Sequence, residues 1–191
     1  MANILLIEPE YQCKYPPLGL MKIAYYHKEI RKDFVWFSKG KVPANVSDKV
    51  KERLYKSKYY IDKYGNNLKD FIKSVDNIIS QKKWDRVYVS TLFTYEWKIT
   101  IDTIEYAKTL VADKSNVYSG GILATLMAEE FEKTTGIKPV KGQLFDSLLI
   151  GYDDGVNIDT LTPDYSILDN TEYVYPSNNA YFAYATRGCG M

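Results

Sequence analysis

The chain has 191 residues and a mass of 22.0 kDa, enough for one sizeable core with some chain to spare. Its 25 basic and 24 acidic residues leave a net charge of +1, which carries no electrostatic footprint for nucleic acid or an anionic membrane. Hydrophobic residues at 46% and charged residues at 26% describe an ordinary globular composition.

Cys13 and Cys189 stand near opposite ends of the chain, which argues for free thiols in a reducing compartment rather than a structural disulfide. The opening stretch MANILLIEPE has no basic leader and only a short apolar run. No apolar stretch reaches the length of a membrane span. The expected location is cytoplasmic.

The elements follow in order. NILLIEP, residues 3–9, is an apolar run of strand length. PLGLMKIAYYHKEIRKD then places Leu20, Ile23, Ala24, His27 and Ile30 on one helical face. DFVWFS, residues 33–38, is a second strand. VSDKVKERLYKSKYYID sets Val46, Val50, Leu54 and Ile61 at helical spacing, with Ser47 as N-cap. Gly65-Asn66-Asn67 separates it from a stronger stripe of Leu68, Phe71, Ile72, Val75, Ile78 and Ile79. DRVYVSTLF, residues 85–93, is a third strand, followed by an amphipathic helix through Trp97, Ile101, Ile104, Ala107 and Val111. SNVYSGG, residues 115–121, is a fourth strand, and ILATLMAEEFEKTTG is a helix with Gly136 beyond its end. KPVKG and DSLLIG are further short strand candidates.

This alternation predicts an α/β fold: a doubly wound, mainly parallel sheet of about five strands, flavodoxin-like or Rossmann-like, closing near Gly151. Residues 152–179, rich in Asp, Asn, Pro and Tyr without period, read as a linker. Residues 180–191 read as a new strand, AYFAYAT, and an extended tail. Its open edges predict pairing between chains as a dimer contact, folding back, or disorder.

Ligands of such sheets bind at the carboxyl ends of the strands, and three strand-end loops are informative. In EPEYQCKYPPLGL, Pro16 and Pro17 stiffen the approach to the helix and Gly19 permits close approach. In VSTLFTY, Ser90, Thr91 and Thr94 offer hydroxyls, either to a ligand or as helix caps. In YSGGILA, a glycine pair lets backbone N–H groups point at a ligand, although turns use such pairs freely. There is no GxGxxG and no Walker loop. Asp153-Asp154, Glu129-Glu130 and Glu8 with Glu10 read as solvated, capping or linker acids rather than metal ligands.

YPPLGLMKIA, VSTLFTYEWKIT, YSGGILA, TPDYSIL and YATRGCGM, in this order, resemble the N-terminal half of cobalamin-domain-containing radical S-adenosylmethionine enzymes. The resemblance covers essentially the whole chain. It implies a domain of the cobalamin-binding type at residues 1–151. A radical S-adenosylmethionine barrel would follow, its first strand starting at 180 and leading into a cluster loop. Cys189 matches the first cysteine of the C-x-x-x-C-x-x-C motif that holds a 4Fe-4S cluster, to which S-adenosylmethionine binds. The other two cysteines would fall at positions 193 and 196, past Met191, so the chain reads as cut before the cluster can form. The resemblance implies an accessory domain, not catalytic by itself, whose partner is the barrel of the same parent.

Within the family, Ser90 and Leu92 match the S-x-L motif, and Gly120 and Gly121 match the G-G motif. Both motifs line the slot for the nucleotide tail of cobalamin, and Pro17 and Gly19 of the PPLGL helix entry are further candidate cofactor-binding positions. The D-x-H-x-x-G histidine that ligates cobalt is missing: the chain's single histidine, His27, lies on the apolar helix stripe and reads as a core residue. Cobalamin is therefore an open expectation. Glu8, Glu10, Tyr11, Lys14 and Tyr15 would fill the cofactor space if they fold over the sheet edge, and residues 40–82 could cover the same face. The alternative is a cofactor-free α/β module for protein interaction or a small ligand.

Overall fold

The structure is a computed structural model that describes residues 1–177 and 180–182. Four strands, β1 (Asn3–Glu8), β2 (Phe34–Lys39), β3 (Arg86–Thr91) and β4 (Val117–Gly121), form one parallel sheet in the order β2-β1-β3-β4. The helices are α1 (Leu18–Tyr25), α2 (Asp48–Lys56), α3 (Lys58–Tyr64), α4 (Leu68–Gln81), α5 (Trp97–Lys108), α6 (Ile122–Leu126) and α7 (Ala128–Thr135). The fold is α/β and doubly wound, of flavodoxin-like or Rossmann-like character. No helix among the described residues is long and apolar enough to cross a membrane.

Both faces of the sheet are covered, so the strands read as continuous apolar runs rather than alternating ones. On one face, Leu5, Ile7, Trp36, Val87 and Val89 pack with Val50 and Leu54 of α2, Ile72, Val75 and Ile79 of α4, and Ile104 of α5. On the other, Ile4, Leu6, Val35, Phe37 and Tyr88 pack with Leu20, Met21, Ile23 and Ala24 of α1. Ile150, Ile158 and Ile167 of the irregular C-terminal region complete that second core.

Two of the expected helices are each broken in two. Ser57, with extended backbone (ψ 119°), divides α2 from α3. The break rotates Tyr60 into the core in place of Ile61, which is exposed. Met127 likewise divides α6 from α7. Ser47 caps α2 by accepting from the Val50 amide at 3.3 Å, as its position implied.

Helix α1 runs on into a π-helical turn, Tyr26–Ile30, where the Arg31 amide bonds the Tyr26 carbonyl at 3.1 Å. The extra residue in this turn shifts the helical register. Ile30, expected on the buried stripe, is turned to solvent, and Lys28 is buried instead, paired with Asp164 at 2.9 Å. His27 is fully buried: Nδ1 lies 2.9 Å from Asp33 and Nε2 lies 3.0 Å from the Tyr88 hydroxyl.

Two strand expectations are corrected. KPVKG contributes a single bridge, Gly120 to Val140, rather than a strand. DSLLIG forms a 3-10 turn, Ser147–Ile150, capped by Asp146. Both segments are too short and too polar at their ends to extend a ladder.

The 152–179 region is irregular, as its composition implied, but as far as residue 177 it packs on the domain as a strap rather than hanging free. Ile158, Ile167 and Tyr175 are buried, and Asn170 donates to the Tyr60 hydroxyl at 2.8 Å. Residues 180–182 carry no strand. The rest of the expected tail strand, its dimer contact and Cys189 lie outside the described residues.

Two predictions follow from this packing. Ile167→Ala removes a fully buried side chain from the shared core, so urea unfolding should show a loss of about 2–5 kcal/mol. A loss under about 0.5 kcal/mol would mean that the strap is a free linker. Burial also lowers the His27 pKa from 6.5 to about 4, against the opposing pull of Asp33. The unfolded histidine takes up its proton below about pH 6.5 and the folded one only near pH 4, so stability should fall as the pH drops through that window. The loss attributable to His27 is on the order of 3 kcal/mol. Unfolding midpoints measured from pH 7 to 4 should fall less steeply for His27→Gln than for the parent.

Candidate functional site

The chain leaves β1 to form β2 at one edge, then crosses back to β3 on the other side of β1. Loops after β1 and β3 therefore diverge, and this switch point opens a crevice at their carboxyl ends. A cavity of about 840 Å³ lies there, between α1, the ends of β3 and β4, and residues 140–150. Pro17, Gly19, Ser90, Leu92, Gly120 and Gly121, the six positions singled out from three separate loops, all line it.

Each loop is held by a different device. After β1, Tyr11 turns away from the cavity and its hydroxyl bonds the Thr100 hydroxyl of α5. Burial pushes the Tyr11 pKa up to about 12. Pro17 occupies the cap position of α1, and its carbonyl accepts from the Met21 amide at 3.0 Å. Gly19, in the first turn of α1, has open space around it: an added Cβ would meet no heavy atom within 4 Å.

After β3, the hydroxyl cluster serves both as a cap and as cavity wall. Thr91 is a structural cap: its hydroxyl donates to the Gly120 carbonyl at 3.1 Å and accepts from the Ala124 amide at 3.0 Å. Ser90, paired in register with Gly120, lines the cavity beside Thr91.

The glycine pair has its own reason. Gly121 has φ +121°, and a Cβ there would lie 2.0 Å from the Thr91 carbonyl oxygen. A Cβ at Gly120 would lie 3.0 Å from the Val140 carbonyl oxygen. The pair is required by close backbone packing, which in turn sets the cavity's β4 edge.

The bulky residues of the first loop do not fill the crevice. Glu8 is drawn down to Lys39 at 2.6 Å and to the Tyr175 hydroxyl, and Glu10 lies against Gly40. Lys14 and Tyr15 stand in the cavity wall. Residues 40–82 pack largely on the opposite face of the sheet, on the α4 and α5 side, and do not cover the cavity.

Several wall residues carry no sequence signal. Tyr88 and Tyr118, with ring centroids 5.4 Å apart, form the floor, yet in sequence they read as ordinary strand residues. Val140, Leu144 and Ile150 come from a segment without period. His27 is not in the cavity wall, and its two ring nitrogens already have partners.

Comparison with known proteins finds no matching family model, no matching curated protein and no matching solved structure. The cavity's chemistry must carry the functional argument. Its walls are mainly apolar and aromatic with a few polar groups, the make-up of a small-molecule site.

Two of the glycines that line this cavity, Gly19 and Gly121, should respond oppositely to alanine. Gly19→Ala should leave stability unchanged or raise it by up to about 1 kcal/mol, because it improves helix propensity without a clash. Gly121→Ala should cost more than about 2 kcal/mol, because both the positive φ and the Thr91 carbonyl oppose it. Thermal unfolding of the two variants side by side checks this.

Proposed function

We propose that this chain is the N-terminal accessory domain of a radical S-adenosylmethionine enzyme, and that its strand-end cavity receives cobalamin. The observation that supports this reading is the convergence of six positions from three separate loops on one cavity at the switch point. The domain is not catalytic by itself. Its residues bind, orient and exclude water.

The wall suits a flat, uncharged aromatic body such as the nucleotide base of cobalamin. Tyr118 offers ring surface backed by the buried Tyr88, Ser90 offers a hydroxyl, and Gly19 leaves room for ligand atoms beside α1. Bound cobalamin supplies a cobalt centre for methyl or one-electron chemistry. His27 would not ligate that cobalt, because both its ring nitrogens are engaged inside the core. Around the strand ends, Tyr95, Ile122 and Leu126 expose apolar surface, which fits a face that docks on a following barrel. The barrel and its cluster, with Cys189 as one ligand, belong to the parent protein.

The engaged state of His27 also favours a second reading, a cofactor-free module that holds a small apolar ligand in the same cavity. Absorbance separates the two. The purified chain mixed with hydroxocobalamin and passed through a desalting column should keep the corrinoid spectrum. Gly19→Trp, which adds a bulky side chain at the cavity wall from an unstrained helical position, should lose it while unfolding at the parent's temperature. No retention by the parent chain would remove cobalamin and leave the second reading.

A further inference from the structure

The strap meets the end of β1 and the β1–α1 loop at three points. The Tyr173 hydroxyl donates to the Cys13 carbonyl at 2.7 Å, the Tyr175 hydroxyl donates to the Glu8 carboxylate, and the Ser177 amide donates to the Lys14 carbonyl at 3.3 Å. Glu8, Cys13 and Lys14 all line the cavity. The Lys39 ammonium bonds the same Glu8 oxygen at 2.6 Å and lies over the Tyr173 ring, 4.7 Å from its centroid. Cys13 is buried in a small cluster with Tyr11 and Tyr175.

From its other side, the strap's backbone is held by Arg53. Arg53 of α2 donates to three successive carbonyls: Thr171, Glu172 at 3.1 Å and Tyr173 at 3.4 Å. Chain without a ladder must find donors for its carbonyls elsewhere, and a planar guanidinium can serve several at once. Arg53 lines no part of the cavity.

We infer that Arg53 and Tyr175 are positioning residues for the cavity: they seat strap residues 171–177 against the β1–α1 loop, which closes the Glu8 end of the cavity and buries Cys13. The strap would then hold the cavity wall in shape from outside it. Releasing either residue should let the strap lift locally and uncover Cys13. The inference stands on the loop geometry and does not depend on which ligand the cavity takes.

Cys13 is a built-in reporter. Burial, reinforced by the nearby Glu8 carboxylate, pushes its thiol up to about 11, so in the seated state it reacts slowly with an aromatic disulfide reagent at pH 8. The test uses the full chain carrying Cys189→Ser, so that one thiol remains. Arg53→Ala and Tyr175→Phe should each speed Cys13 modification about tenfold or more. Cys13 modification should depend only weakly on urea below the unfolding transition, whereas amide exchange of the β3 core residues Val87–Val89 should follow the steep urea dependence of global unfolding, which separates local lifting from whole-fold unfolding. A change under about twofold in both variants, or a urea dependence of Cys13 modification as steep as that of β3 exchange, would overturn the inference.

Discussion

The parallel pairing of β1 with strands on both its sides is the constraint on which the rest depends. Ile4 pairs in register with Val35 of β2 and with Arg86 of β3, so β1 is fully enclosed in the ladder. A chain that must leave for one side and return to the other leaves a crevice where its loops part. The cavity is a consequence of that topology. What fills its walls is a consequence of sequence: Gly121 brings β4 against the Thr91 carbonyl, Thr91 ties β4 to α6, and Gly19 leaves the α1 side open.

The buried polar groups sort into two kinds. His27, Asp33 and Tyr88 form a network inside the α1-side core that fixes the π turn against the sheet. Glu8, Lys39 and Tyr175 form another at the end of β1, where one wall of the cavity meets the strap. The first network is sealed from the cavity except through Tyr88. The second borders it directly, and buried polar groups of this kind are costly when any partner is lost. This is why the strap belongs to the domain although it contains no regular element longer than a 3-10 turn.

Much of this was legible in the sequence, in proportion to how locally each feature is determined. Strands β1 and β3, helices α4 and α5, the Ser47 cap and the Gly136 end of α7 all follow from period, propensity or cap chemistry within a few residues. The break at Ser57 and the π turn were not legible, because each is tied to a distant partner: Tyr60 reaches Asn170, and Lys28 reaches Asp164 and Ser166. The strap was legible as irregular but not as packed, since an isoleucine every eight or nine residues gives no period. In the cavity, the loop glycines, Pro17, Ser90 and Leu92 could be picked out from motifs. Tyr88, Tyr118 and Ile150 could not, because an inward-facing residue next to a cavity looks in sequence like any other core residue.

The central proposal is that the switch-point cavity takes cobalamin. Hydrogen exchange with and without hydroxocobalamin tests it most directly. The expected result is protection confined to residues 12–20, 90–92 and 119–121, with α2–α4 on the opposite face unchanged. Protection centred on the α2–α4 face, or none anywhere, would contradict the account.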